Sequence, residues 1–539
     1  MLNTKLKLTL GFAALAAATA LAQTPTAAPA GATPAAPDNA AAATTVATVP
    51  AAQPANPAPA PSPWDEWLKK VKNPKVTWGG DVRLRNEYVN NALTLSDVTA
   101  PRHEQDYFRF RERVWTTIQL MTNMTANARL AAEQREWMKP ANASQFYKSL
   151  SPAVSRSGFE ERYGILDNAY LKWTNILDQP LTFSGGRQDI TLGDPDDQWL
   201  VMDGTPGDGS WTFFFDSLRA SYELKEAKTR LDVIYIQQMA LPDEAIPTIG
   251  KSSGNVTENG QPRPYYLTEQ NEQGVIVYLS NKSIENMQID GYFIYKGDHR
   301  TDTSLIKNGD TADIYTFGGK ITGTPAEHWT YSAEAAYQFG SKQDSNVLAN
   351  YYVADRKDRR EICAYAGKTR ISYLFKDKMQ NQVSLVGEFL SGDNPNTKGQ
   401  DEMFDILWGR WPRWTELGTW NYATETGGRY LQMNNLGRVG PAWNVTPIKG
   451  VNLNLMYNAL FSPESVPTRD TTSPTLNPAN IERFSDNGNF RGHYFQGILK
   501  YQYNKNLSAQ VKGELLCEGN FYNQRDIQSF LRTEVNLTF

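Results

Sequence analysis

From Lys75 to Phe539, short polar turns and long connections strictly alternate between segments whose side chains switch apolar and polar at every residue. Short turns fall at Lys225–Lys228, Asn281–Asn286, Thr324–Glu327, Lys376–Lys378 and Asn504–Asn506. Long connections fall near 90–106, 139–163, 191–211, 240–273, 298–310, 341–362, 392–426 and 462–490. Alternation at period two is a strand with one apolar face, because successive side chains point to opposite sides. Followed to the end, the pattern predicts about 18 strands, among them 180–190, 427–439 and 526–539. A soluble sandwich has no reason to keep its connections alternately short and long. A barrel crossing a membrane does, since its two ends face different compartments. The predicted fold is all-β: a transmembrane antiparallel β-barrel over 75–539, with an even strand count placing both termini on the periplasmic side.

The segment Gln105–Met121 carries the pattern most clearly, with Arg109, Arg111 and Arg113 on one parity and Phe108, Phe110, Val114, Ile118 and Leu120 on the other. Before it, Val76, Trp78, Val82, Leu84 and Tyr88 oppose Asp81, Arg83, Arg85 and Glu87; after it, Ala126, Ala128, Leu130 and Ala132 oppose Asn127, Arg129, Glu133 and Arg135. Arg187, Asp189, Arg219, Lys320, Lys368 and Arg370 fall on the polar side of later strands. In a barrel that side is the lumen. Unpaired charges in a dry interior cost several kcal/mol each, whereas charges facing water cost little. The expectation is therefore a hydrated pore lined by Arg83, Arg85, Arg109, Arg111, Arg113, Arg129, Arg135, Arg187, Asp189, Arg219, Lys368 and Arg370. Guanidinium groups offer planar donors that suit carboxylates. The same residues are also compatible with a paired Arg–carboxylate lattice that only stiffens the wall. Glu112 falls on the lipid parity, and a bulge or register shift is expected there.

Lys5 and Lys7, the apolar run Leu8–Ala18 and Ala20-Leu21-Ala22 predict a secretory signal over 1–22. Residues 23–63 are almost entirely Ala, Pro and Thr, a disordered periplasmic tether able to engage another envelope component. Residues 64–74 are expected to form a short helical lead-in. After residue 74, no run of about 18 apolar residues occurs, which excludes helical membrane spans but not a barrel. The mean hydropathy of −0.53 is compatible with strands that are only half apolar, and 14 Trp and 26 Tyr lean towards a membrane. The last strand places Ile527, Leu531, Val535, Leu537 and Phe539 on one parity. A terminal Phe after such a strand resembles the signal for outer-membrane insertion, so the outer membrane of a Gram-negative-type envelope is the expected location.

A net charge of −4 gives no case for a nucleic-acid partner. Cys363 and Cys517 form no C-x-x-C motif, and the four histidines form no H-E-x-x-H and lie near no G-x-S-x-G. No enzyme activity and no cofactor are expected. Asp194, Asp196, Asp197, Asp203 and Asp208 lack the fixed spacing of a calcium loop, so no metal site is expected either. The expected partners are outer-membrane lipids and an anionic small molecule or polysaccharide.

Between Gly392 and Gly428, Trp408, Trp411, Trp414 and Trp420 interleave with Arg410 and Arg413. Trp408, Arg410, Trp411, Arg413 and Trp414 are candidates for sugar contacts, rings packing on the sugar and arginines taking carboxylates. Rim-anchoring girdle residues are the other reading. Trp78-Gly79-Gly80-Asp81-Val82-Arg83-Leu84-Arg85, the Phe108–Arg113 ladder, Gly185-Gly186-Arg187-Gln188 with Gly193-Asp194, Phe215-Asp216-Ser217-Leu218-Arg219, and Gly409-Arg410-Trp411-Pro412-Arg413-Trp414-Thr415-Glu416-Leu417 resemble the alginate export family of outer-membrane barrels. The resemblance covers most of Lys75–Phe539. It implies a barrel of about 18 strands with an electropositive pore for an anionic polysaccharide. The expected function is an outer-membrane porin passing anionic solutes, acidic oligo- or polysaccharides among them, by passive diffusion. The alternative of a different class is a structural or partner-binding barrel closed by its loops.

Overall fold

The structure, a computed structural model, describes residues 75–539 apart from 93–94, 99–102, 140–158, 193–213, 241–256, 259–260, 263–266, 269, 301–308, 344–358, 395, 410–413, 419–420, 422–433, 465–482 and 486. The expected signal, tether and lead-in lie outside the described residues, as do Arg410, Trp411, Arg413, Trp420 and the five acidic residues between 194 and 208.

Eighteen long antiparallel strands form one closed sheet. They are β1 Val76–Asn90, β2 Glu104–Met121, β3 Met124–Lys139, β4 Phe159–Trp173, β5 Leu181–Gln188 and β6 Phe215–Leu224. Next come β7 Thr229–Gln238, β8 Asn271–Asn281, β9 Met287–His299, β10 Thr311–Ala326, β11 Trp329–Gln343 and β12 Arg359–Leu374. The barrel is completed by β13 Gln382–Leu390, β14 Leu436–Ile448, β15 Val451–Phe461, β16 Phe490–Gln502, β17 Leu507–Glu518 and β18 Ile527–Thr538. Each pairs with the next, and β18 returns to β1 from Asp81↔Thr538 to Asn90↔Ser529. Short turns gather at the end that holds Lys75 and Phe539, and long connections at the other.

Outward side chains are apolar and exposed: Leu84, Val114, Leu171, Phe317, Leu385 and Leu515 are all 40 % exposed or more. In water such a continuous surface would be an aggregation hazard; lipid is the solvent that suits it. Aromatic contacts collect towards both ends of this face. Trp329–Tyr373 and Tyr501–Tyr503 lie near the turns, while Tyr295–Tyr315 and Phe461–Phe490 lie near the long connections. These are the two interfacial girdles of a membrane barrel.

Two expectations are corrected. The strand placed at 427–439 lies at Leu436–Ile448; residues 427–433 of the expected span are outside the described residues. Gly437, Gly440 and Pro441 hide its alternation, and Pro441 has no N–H for a ladder. Its pairing with β15 is accordingly interrupted at Gly440 and Pro441, between Val439↔Ala459 and Ala442↔Met456. Glu112, in turn, has no bulge beside it. The β1–β2 register runs unbroken from Val76↔Ile118 to Asn90↔Glu104. Shifts between β2 and β3 occur only at Asp106/Tyr107 and Gln119/Met121. Glu112 therefore does face outward, half-buried, with Gln134 as its hydrogen-bonding neighbour. Nearer the long connections the same face stays polar, with Asn86 bonded to Asp106 at 2.8 Å and Tyr88 to Glu104 at 2.7 Å.

The terminal residue belongs to the closing seam. Gly80 N–H donates to Phe539 O at 3.0 Å, and Phe539 N–H donates back to Gly80 O at 2.9 Å. A Cβ on Gly80 would lie 2.6 Å from the Phe539 ring and 2.8 Å from Arg113 O, whereas one on Gly513 meets nothing within 4 Å. Gly80→Val is therefore expected to destabilise the barrel by about 1–3 kcal/mol, read as loss of the heat-modifiable band at lower temperature. Gly513→Val is expected to leave that temperature unchanged.

Candidate functional site

The lumen faces of β18, β1, β2 and β3 carry a wall of arginines astride the closing seam. Register sets Arg85 directly opposite Arg109 and Arg83 opposite Arg111, with Arg109 in turn opposite Arg135. Arg532 stands opposite Glu87, and Glu534 opposite Arg85. Like charges directly across a ladder repel. Seven arginines (83, 85, 109, 111, 113, 135 and 532) here share the four carboxylates of Asp81, Glu87, Glu133 and Glu534. Asp81 takes Arg111 at 3.1 Å and Arg113 at 2.6 Å. Glu87 takes Arg532 at 2.6 Å and Arg109 at 3.6 Å. Glu133 takes Arg109 at 2.8 Å and Arg135 at 3.5 Å. Glu534 pairs with Arg85. Asp81, Glu87 and Glu133 are thus each divided between two arginines. Nε and Nη1 of Arg111 have no hydrogen-bond partner among the described residues.

These side chains face the lumen, but they are not the hydrated charges expected from the sequence. Arg83, Arg85, Arg109, Arg111 and Arg135 are at most 3 % exposed. The lumen beside them is packed, and ion pairing takes over part of the role expected of water.

The opposite wall is built differently. Along one row the register gives Asp290↔Lys320, Lys320↔Glu334, Glu334↔Lys368, Lys368↔Glu388 and Glu388↔Arg438. This belt alternates in sign across six neighbouring strands, β9 to β14, and is balanced. The remaining expected residues are dispersed. Arg129 pairs with Asp167 at 2.8 Å and Asp189 at 2.9 Å. Arg187 pairs with Asp216 at 2.8 Å beneath the Phe214 ring, and Arg219 with Asp232 at 2.9 Å. Arg370 stands opposite Ser332 and Val386, outside the belt. Arg532, missed from the sequence, had a signal in the parity Gln528, Phe530, Arg532, Glu534, opposite the apolar parity of the last strand.

Why the lumen is packed is seen in the described parts of the connection after β13, residues 396–409 and 414–418, which lie inside the barrel. Gln400–Asp401 pairs in parallel with Glu361–Ile362 of β12. Asp401 and Asp393 both take Arg360, at 2.8 Å and 3.0 Å. Gln338 of β11 clamps the Asp405 backbone, its Nε2 donating to the carbonyl at 2.7 Å and its Oε1 accepting from the N–H at 2.8 Å. Trp408, 1 % exposed, lies over Gly274 of β8, where a Cβ would come within 2.4 Å of the ring. Its other neighbour is Phe215, edge-on at 6.4 Å. Trp408 is thus inside the barrel, neither at the rim nor presenting an open ring face. Trp414 is half-buried beneath the Arg438 guanidinium, 4.4 Å from the ring centroid.

Beyond Trp414 the same connection docks on the far wall. The Glu514 carboxylate of β17 accepts from the backbone N–H groups of Glu416 and Leu417 and from Thr415 Oγ1, each at 3.0 Å. That carboxylate takes the place of a helix cap, satisfying donors at the start of the turn Glu416–Gly418. Gln496 Nε2 donates to the Trp414 carbonyl at 2.6 Å. Glu416 itself reaches Arg532 at 2.7 Å and Lys512 at 3.9 Å. A loop carboxylate therefore sits on the arginine wall.

A closed eighteen-stranded barrel with a lipid-compatible outer face and a charged lumen crossed by an inserted loop is an outer-membrane channel protein. Residues 75–536 match the alginate export family. The chain belongs to that family, and its place is the outer membrane of a Gram-negative-type cell. No curated protein matches the sequence. Among solved structures it is similar to Acinetobacter baumannii OccAB1, at 9 % identity and a TM-score of 0.47 over 86 % of this chain and 96 % of that one. OccAB4 of the same organism shows 13 % identity and a TM-score of 0.45 over 87 % and 100 %. Pseudomonas aeruginosa OccD3 (OpdP) shows 8 % and 0.42 over 86 % and 91 %.

Glu514→Ala would strand several buried donors, a loss of about 3–5 kcal/mol at the docking point. The expected result is a heat-modifiable barrel with several-fold higher single-channel conductance; an unchanged conductance would show that the loop is not the constriction. A pH effect is expected where this connection meets the next one. Asn435 Nδ2 donates to Glu464 O at 3.0 Å. Burial, with the Glu402 carboxylate nearby, holds the Glu464 carboxyl above its ordinary range. A carboxyl raised in the docked state binds its proton more tightly there. Docking therefore strengthens as pH falls through that raised value and weakens as pH rises. Conductance at about pH 5 should be lower than at about pH 7, and the Glu464-dependent part of that difference should vanish in Glu464→Gln.

Proposed function

We propose that the barrel passes anionic solutes, with acidic oligo- or polysaccharides as the solute class, and that the arginine wall selects for them. The observation carrying this reading is the in-register row Arg85–Arg109–Arg135 beside Arg83–Arg111, guanidinium groups directly across from one another on three neighbouring strands. Rings of charged side chains set the sign of the permeant ion in channels of this kind. Arg111 retains free donors, and Glu416 already supplies a carboxylate to Arg532. An anionic solute competes for the same donors. In this reading the ends with short turns face the periplasm, and solute meets the arginine wall after passing the long connections.

The reading is tested by the reversal potential under a salt gradient. Wild type is expected to prefer anions, and Arg109→Ala/Arg111→Ala/Arg113→Ala to lose most of that preference; an unaltered preference would overturn the proposal. The docking of 391–435 favours a second reading, a barrel closed by its loops whose 23–63 segment engages another envelope component. A wild-type barrel that stays silent in planar bilayers at every voltage would establish it.

A further inference from the structure

Below the arginine wall, at the end with the short turns, the lumen faces of β14 to β18 border an open cavity of about 410 Å³. That volume falls within the range of small-ligand sites, about 300–1,000 Å³. Its lining is dominated by amides and hydroxyls, with Asn452, Gln502, Ser508, Gln510 and Asn536 among them. Only two charged groups join them. Glu534 is already paired with Arg85, and Lys500 lies exposed.

Two of the amides are incompletely bonded. Gln510 is 8 % exposed, and its Nε2 donor has no partner among the described residues. Asn536 gives its Nδ2 to Thr538 Oγ1 at 3.1 Å, but its Oδ1 acceptor has none. Register places Gln510 opposite Glu534 and Ser508 opposite Asn536, so the two amides are diagonal neighbours on adjacent strands. A diagonal pair of this kind is about 7–8 Å apart at the backbone. An unmatched donor and an unmatched acceptor beside one cavity call for a ligand that accepts and donates at once. A hydroxyl does both. An array of hydroxyls on a ring does so at several points, and a buried polar group left unmade is the costly state that such a ligand removes.

We infer that this cavity is a carbohydrate subsite that recognises ring hydroxyls, formed by Gln510 and Asn536 with Asn452 and Ser508 around them. It does not depend on the anion reading, since its contacts are made by neutral groups. Glu534 joins the two regions, lining the cavity while holding Arg85 in the wall above.

The test is block of single-channel current by maltose, a neutral disaccharide, with full-length protein in planar bilayers. Maltose is expected to interrupt the current in wild type. In Gln510→Leu/Asn536→Leu its blocking constant should weaken about tenfold, the loss of one to two neutral hydrogen bonds. Polyethylene glycol of matched size, whose chain oxygens accept but do not donate, is expected to block far less. Absence of maltose block, equal block by polyethylene glycol, or equal maltose block in wild type and variant would each overturn the inference. Should the double variant lose its heat-modifiable mobility, Asn536→Ala alone is measured against the same outcomes. Because maltose is uncharged, failure of the anion-selectivity experiment leaves this result readable, and the reverse also holds.

Discussion

A sheet that stops leaves a row of unpaired N–H and C=O groups at each edge, and in hydrocarbon there is no water to take them. Joining β1 to β18 is therefore the condition on which the rest of this molecule stands. The seam is held at three levels. Backbone pairing runs from Asp81 to Asn90 against Ser529 to Thr538. Phe539 exchanges hydrogen bonds with Gly80, and its ring meets Trp78 edge-on at 6.2 Å. On the lumen side, Arg85–Glu534 and Arg532–Glu87 cross from the first strand to the last. The arginines that give the lumen its charge thus also tie the two ends of the chain together.

The two halves of the lumen solve the problem of buried charge differently. Along Asp290–Lys320–Glu334–Lys368–Glu388–Arg438 each inner group has an opposite charge on either side, so the belt is neutral. Across β1, β2 and β3, arginine faces arginine, and single carboxylates are divided between arginines. A balanced belt serves only the wall. The arginine wall instead also engages the inserted connection, through Arg532 and Glu416.

That connection crosses from Gly274 and Gln338 on one side to Glu514 and Arg532 on the other, and its anchors are of three kinds. Trp408 packs into the space over a glycine, Gln338 bonds the backbone, and Glu514 caps a turn. Each is a single inward side chain, or a glycine's lack of one, meeting the loop. Gln338 and Glu514 make these contacts with their side chains, outside the backbone ladder of the barrel.

Much of the barrel was legible in the sequence because strand parity is local. Two residues apart means the same face, and this sorted Arg83, Arg85, Arg109, Arg111 and Arg113 to one side without any knowledge of the fold. The alternation of turn lengths, equally local, gave strand order and closure. Parity failed where local chemistry interrupts it, as at Gly437, Gly440 and Pro441, and it was misjudged at Glu112, where a carboxylate does face outward. What the sequence could not determine is which residue stands across from which. Arg85 lies opposite Arg109 and Glu534 because closure sets the register of strands hundreds of residues apart, and register is a property of the whole ladder. The path of 391–435 through the lumen was hidden for the same reason: Gly274, Gln338, Glu514 and Arg532 form one docking surface only once the barrel has brought them round to face each other.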